Sequence, residues 1–282
     1  MQRASDGSHR RAYRIEKIRV LVSLAFGLAA VVASAAPDLA PVVAVTGAVW
    51  TLLSFALVAV VGERQTGNAA MAQEQLDTWL FDLPLSMDAA APIPDEELRR
   101  LARGSTIAEE RMRTWYPDVT GLPDVFAVLA CQRENLTWDW RLRRRFASLL
   151  TWGASLWIAA GVSVGLVGDL SVRAVAVRWF VPSTSALILA LQLARGHREI
   201  AAAKEQLVTL VRDALESARP GDPDVEDLPR LNQLTRDVQG GIYRLRKRGE
   251  RVPRILYERY RDEDEADMQA TVADLKERLS PS

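Results

Sequence analysis

Four apolar stretches, grouped as two pairs, set the limits on what this chain can fold into. They cover residues 20–36, 39–62, 148–168 and 174–194. Each is about as long as a helix needs to cross a hydrocarbon core of ~30 Å, which takes roughly 17–25 residues. Inside lipid an unpaired backbone amide has no water to bond, so such stretches must be helices. The first three hold no charged side chain over their whole apolar length, which a core helix of a soluble domain rarely manages. The pattern predicts an all-α chain: a four-transmembrane-helix bundle of two hairpins, with helical cytosolic middle and C-terminal regions. The expected parts are a basic N-terminal tail and first hairpin (1–62), a cytosolic helical stalk (63–147), a second hairpin (148–194) and a cytosolic C-terminal helical region (195–282).

The balanced formal charge hides this division, because residues 63–147 and 195–282 are polar and the spans are not. The single cysteine, Cys131, excludes an intramolecular disulfide framework. With His9 and His197 the only histidines, a Cys/His zinc site is excluded as well, and neither a metal nor a cofactor is expected. The first apolar run ends without a small-x-small cleavage context and a second span follows it, so it does not read as a secretory signal peptide.

Cytoplasmic flanks carry excess Lys and Arg. Arg3, Arg10, Arg11, Arg14, Lys17 and Arg19 precede the first span, Arg141, Arg143, Arg144 and Arg145 precede the third, and Arg195, Arg198 and Lys204 follow the fourth. Both termini and the middle region are therefore expected in the cytoplasm. Only two tight connections, near Pro37–Pro41 and near Asp169, lie on the other side. Arg178 beside Trp179 either snorkels to the outer headgroups or faces the bundle interior. Pro182, followed by Ser183, Thr184 and Ser185, makes the fourth span the one expected to bend, since hydroxyls can take up carbonyls that proline leaves unbonded. Gly161 and Gly165, four apart in the third span, let another backbone approach closely, either within the bundle or from a second protomer.

Helical periodicity predicts a helix carrying Leu76, Trp79, Leu80 and Leu83 that ends at Pro84, and a short helix opened by Asp95, Glu96 and Glu97 and closed by Trp115-Tyr116-Pro117. The next helix starts near Asp124 and runs straight into the third span. Gln132, Asn135, Asp139 and Arg143 recur on one of its faces at steps of three and four, with Asp139 and Arg143 spaced for an ion pair. That stripe is expected to hydrogen-bond with the Gln73, Glu74 and Asp77 face of the preceding cytosolic helix, forming a stalk. Three further helices are expected, over about 199–218, 227–248 and up to about 279, with a turn at Pro220-Gly-Asp-Pro223. No P-loop, nucleotide-binding glycine fingerprint, serine elbow or histidine base stands out, so the chain does not read as an enzyme.

The run Gln73-Glu-Gln-Leu-Asp77…Leu83-Pro84, then Trp115-Tyr116, then Gln132-Arg-x-Asn135-x-x-Trp138-Asp139-x-x-Leu142-Arg143, set between two hydrophobic hairpins, resembles the SMODS-associating four-transmembrane effector family. Leu85 and Ser86 depart from that family's Trp-Asn pair after the proline. The resemblance implies a multi-pass protein of the bacterial inner membrane that acts in antiphage defence. It implies a cyclic-oligonucleotide second messenger from a cognate nucleotidyltransferase as trigger, and disruption of the bilayer as outcome; the few polar residues in the spans make a homo-oligomer the expected way to line a pore. No nucleic-acid polymer is expected as a partner. A nucleotide needs cations for its phosphates and flat groups for its bases. Arg133, Arg141, Arg143 and Arg144 with Trp115, Tyr116 and Trp138 offer both kinds. The alternative is a membrane-anchored scaffold that recruits a cytosolic partner through its C-terminal helices and conducts nothing.

Overall fold

The computed structural model describes residues 1–57, 63–89, 91–107, 109, 112, 115–219, 223–248 and 252–279. The end of the second apolar stretch (58–62) and most of the turn at 220–223 lie outside them. Among the described residues the fold is all-helical, with no strand. The helices are α1 (Gln2–Ala35), α2 (Ala40–Leu57), α3 (Glu63–Leu80), α4 (Asp95–Ala102), α5 (Asp124–Val167), α6 (Val172–Glu216), α7 (Leu228–Arg248) and α8 (Arg254–Leu279). The chain divides into two compact units. One holds Met1–Arg10, Thr66–Arg144 and Arg198–Ser282; the other holds Arg11–Gln65 and Arg145–His197. They are called here the polar unit and the apolar unit. The first ten residues, read from sequence as a basic tail, belong to the polar unit.

In the apolar unit, α5 and α6 are each long and apolar enough to cross a membrane, and α2 has a shorter apolar run, Pro41–Ser54. The side chains on the outside are apolar: Leu28, Leu52, Leu156 and Leu166 are each at least 65% exposed. The α5–α6 connection is tight. Gly168 N–H donates to the Val164 carbonyl and Leu170 N–H to that of Gly165, with Asp169 in the left-handed region at φ 48°. This pattern closes a helix by satisfying its last carbonyls. Ser171 then caps α6 by accepting from Ala174 N–H at 3.2 Å.

Just before Pro182, α6 makes a π turn over Ala176–Phe180, where Val181 N–H reaches back to the Ala176 carbonyl. Proline offers no N–H to the helix ladder. Ser183 and Thr184 hydroxyls donate to the carbonyls of Trp179 (2.7 Å) and Phe180 (2.8 Å). The π turn puts Trp179 inside, stacked on Trp157 with ring centroids 4.8 Å apart. Gly161 makes room for that ring: a Cβ there would lie 2.5 Å from it. A Cβ on Gly165 would lie 2.7 Å from the Val175 methyl. Both glycine positions are thus filled by α6 of the same chain. Arg178 is half-buried within the π turn.

The core of the polar unit is formed by Leu129 and Leu136 of α5, Val211 and Leu215 of α6, Leu231, Val238 and Ile242 of α7, and Leu275 and Leu279 of α8. A second cluster joins Ala4 of α1 to Ala72 of α3 and to Leu98 and Leu101 of α4. Gly7 is obligatory there, because a Cβ would run into the Leu101 carbonyl oxygen. Asp6 accepts from the Ser105 hydroxyl at 2.9 Å, which ties α1 to the residues after α4. Helix α4 stops at Ala102, well before Trp115. The reach of that helix was overestimated because an acidic first turn marks where a helix starts and says nothing of its length.

Candidate functional site

Helix α3 turns its polar side inward. Trp79 and Leu80, two of the apolar residues whose spacing predicts this helix, are 73% and 49% exposed, whereas Glu74, Asp77 and Thr78 are buried. Small residues precede them: Ala69, Ala70 and Ala72 are all buried, and Ala70 packs with Met71 against Tyr243 of α7. The helix ends at Leu80, where Leu83 N–H bonds back to the Thr78 carbonyl and Asp82 takes φ 50°.

The buried carboxylates are met by α7. Gln239 Nε2 donates to Glu74 Oε2 at 2.8 Å and lies 3.4 Å from Asp77 Oδ2. Arg246 Nη1 pairs with Asp77 Oδ2 at 2.5 Å, both side chains being at least nine-tenths buried. Tyr116 donates its hydroxyl to Asp77 Oδ1 at 2.7 Å and packs edge-on against Phe81. From α5, Gln132 Nε2 donates to the Thr235 carbonyl (2.9 Å) and to Gln239 Oε1 (3.2 Å). Gln239 therefore links the stripe on α5 to the carboxylates on α3. Burial raises the Glu74 carboxyl above its ordinary range despite the Gln239 bond. Burial, with Asp77 beside it, raises the Tyr116 phenol far above its own. Burial works against charge on Arg246, but Asp77 outweighs it and the guanidinium is held more firmly charged than usual. Removing one partner of such a pair would leave an uncompensated buried charge.

One helical turn and more along α5, Asp139 pairs with Arg143 at 2.5 Å and with Lys204 of α6 at 2.7 Å. Burial opposes charge on Asp139, yet the two cations hold its carboxyl well below the usual range. The buried Lys204 ammonium is lowered to about 8. Gln73 and Asn135 are half-buried on their helices.

A second polar feature lies on another face of α5. Arg133, Glu134, Thr137, Trp138 and Arg141 border a cleft whose opposite wall is α8, from Asp264 to Thr271. Arg141 bridges it, 2.8 Å from Asp267 and 4.0 Å from Asp264. Trp138 stacks on Tyr257 with centroids 4.8 Å apart. Glu134 is 92% buried, being 8% exposed, and burial lifts its carboxyl to about 7 against the pull of Arg133 and Arg141.

The seven residues proposed from sequence for ligand contact thus fall into separate places. Arg133, Trp138 and Arg141 meet in the cleft. Tyr116 is part of the buried network, and Arg143 is committed to Asp139. Arg144 is exposed, 5.9 Å over the Trp140 ring and 3.6 Å from Glu205. Trp115 is half-buried with its indole N–H enclosed. Sequence reading missed Gln239, Arg246 and Lys204. A signal existed for the first two: Thr235, Gln239 and Arg246 interrupt the buried face of α7 at helical spacing. Among the described residues no three His, Cys, Asp or Glu side chains are placed to hold a metal ion.

The SMODS-associating 4TM effector domain matches residues 1–275 of the chain. A probable CBASS effector molecule of Bacillus cereus (strain VD146) is 26% identical over 145 residues, which is 51% of this chain and 49% of that one. The chain thus spans about half the length of that curated relative. No solved structure matches.

Proposed function

The chain belongs to the SMODS-associating 4TM effector family, and from that premise we propose that it is a membrane effector of antiphage defence. In this reading it sits in the bacterial inner membrane as two hairpins, four spans in all, with both termini and the polar unit in the cytoplasm. A cyclic oligonucleotide from a cognate nucleotidyltransferase binds the polar unit and the bilayer is permeabilised, so that the infected cell stops growing.

The match over residues 1–275 is the observation that carries the reading. The exposed aliphatic side chains of the apolar unit, Leu28, Leu52, Leu156 and Leu166 among them, support it, because such a surface suits lipid better than water. So does the Arg-rich run at Arg143, Arg144 and Arg145, placed where cytoplasmic flanks carry positive charge. Helices α5 and α6 each contain residues of both units. A change of packing in the polar unit therefore has a helical route into the spans. A nucleotide drives such a change only if it binds the active arrangement more tightly than the resting one.

The reading is tested in cells that express the protein with its neighbouring nucleotidyltransferase, using a membrane-potential dye. Depolarisation that needs both an active synthase and the effector is expected. A potential that holds with an active synthase removes the permeabilising step and leaves the scaffold reading in its place. Reporter fusions after residues 66 and 120 should both report cytoplasm; a periplasmic signal at 120 contradicts the two-hairpin topology.

A further inference from the structure

We propose that the cleft between α5 and α8 is the nucleotide site, taking a guanine base between the two helices with a neighbouring phosphate on Arg141 and Arg133. This rests on the cyclic-oligonucleotide trigger proposed above and gives it an address.

The two walls of the cleft are chemically complementary to one kind of base. On the α5 side, Arg133 Nε, Thr137 Oγ1 and Trp138 Nε1 are buried without a hydrogen-bond partner among the described residues. A buried donor left unbonded is costly, so three lining one cleft mark a place where acceptors can arrive. Guanine presents two acceptors, O6 and N7, on one edge. The α8 side carries Asp264, Glu265 and Asp267, which only accept. The guanine N1–H and amino group are adjacent donors that carboxylates bind in pairs. Adenine has no N1–H and offers a single amino group, so it matches this wall less well. The stacked Trp138–Tyr257 pair supplies a flat surface beside the site.

The acidic wall also decides how the phosphate is held. Asp264, Glu265 and Asp267 face Arg133 and Arg141, so the cleft has no surplus of positive charge. Arg141 is engaged with Asp267, and Glu265 is engaged with Arg261. A phosphate on Arg141 therefore replaces Asp267, an exchange that unfastens α8 from α5. The Arg141–Asp267 bridge spans the cleft from α5 to α8. A ligand that parts it moves α8 away from α5.

Helix α8 is built to allow that. Its C-terminal part is seated by apolar burial of Val272, Leu275 and Leu279, and by Arg278 donating to the Leu215 carbonyl. Between Ile255 and Thr271 the only buried residue is Asp264. The half that forms the cleft wall is held by polar and ring contacts, and the half beyond it by the core. Ligand binding thus couples to an outward movement of the N-terminal half of α8.

The test uses the full chain in detergent micelles or lipid nanodiscs, with cyclic di-GMP and cyclic di-AMP as probes in calorimetry. The expected results are binding of cyclic di-GMP at least tenfold tighter than cyclic di-AMP, and at least tenfold loss on Arg133→Ala or Trp138→Ala. Arg144→Ala should stay within twofold. Asp267→Asn is the variant that a merely structural role does not explain: it releases Arg141 and should tighten cyclic di-GMP several-fold. Binding by the parent that is unchanged in Arg133→Ala, Trp138→Ala and Asp267→Asn overturns the site and leaves the nucleotide trigger standing. Preference for cyclic di-AMP, or binding of neither probe, overturns the guanine site. In the latter case the depolarisation assay decides separately whether the trigger falls with it.

Discussion

The two units of the chain are stabilised in opposite ways. In the apolar unit Leu28, Leu52, Leu156 and Leu166 point outward, and inside, beside the buried Leu189 and Leu193, glycines lie against larger side chains: Gly161 under Trp179, Gly165 against Val175, Gly47 against Phe26. In the polar unit the inside holds charges and amides: Glu74, Asp77, Gln132, Gln239 and Arg246, next to an aliphatic core. The difference follows from the solvent each is suited to. Where the surroundings are as apolar as leucine, burying leucine gains nothing, and close backbone contact holds helices together. Where the surroundings are water, aliphatic burial supplies the energy, and buried polar groups can be spent on specifying which helices meet.

The largest effect is expected from breaking the polar interior. Arg246→Ala leaves Asp77 buried beside a raised Glu74 carboxyl, and losing one partner of a buried pair costs about 3–5 kcal/mol. Thermal unfolding of the full chain in detergent should show it as a large fall in midpoint. The paired change Asp77→Leu with Arg246→Met should recover more than half of the loss. If the double variant is as unstable as the single one, the loss does not come from an uncompensated buried charge.

In the apolar unit the corresponding break is overpacking. Gly161→Leu should cost about 1–3 kcal/mol, since the new side chain must displace Trp179. It should also change the near-ultraviolet circular dichroism of the Trp157–Trp179 stack. Gly153, where a Cβ meets nothing within 4 Å, is the matched position, and Gly153→Leu should leave both signals unchanged.

The pH dependence sharpens the contrast further. Glu134 has its carboxyl raised to about 7 in the folded protein. The native state therefore holds a proton that the unfolded chain gives up near 4.5. Its contribution to stability is present below about 4.5 and is lost as pH rises to about 7, by up to about 3 kcal/mol. Glu134→Gln should flatten the parent's unfolding profile across that window and be the more stable of the two at pH 8. Asp139, held low, acts the other way: its stabilisation is present above its unfolded value near 3.8 and is lost as pH falls below it. The smallest effect is expected at Trp79, exposed on α3, where Trp79→Ala should leave the unfolding midpoint unchanged.

Local pattern made some of this legible and left the rest hidden. The start of α5 at Asp124, its unbroken run into an apolar stretch, and the tight turn after Val167 follow from periodicity and composition, which are properties of neighbouring residues. The stripe Gln132, Asn135, Asp139, Arg143 was readable as a face, but its partners were not. Gln239 and Lys204 lie 107 and 65 positions away, and nothing in local spacing ties them to Gln132 or Asp139. Apolar periodicity located α3 but not its buried face, which is alanines and carboxylates while Trp79 and Leu80 stay outside. The packing of Ala4, Gly7 and Ser8 was hidden by the arginines around them, whose charge reads as a solvated tail.

Dye release from liposomes carrying the reconstituted full chain tests the central claim most directly, that a nucleotide acting on the polar unit opens the bilayer through the apolar one. Tightly sealed vesicles without ligand, release on adding a cyclic oligonucleotide that calorimetry shows to bind, and loss of release in Gly161→Leu with binding retained are the predicted results. Vesicles that stay sealed with a bound nucleotide would contradict the account and make the chain a scaffold.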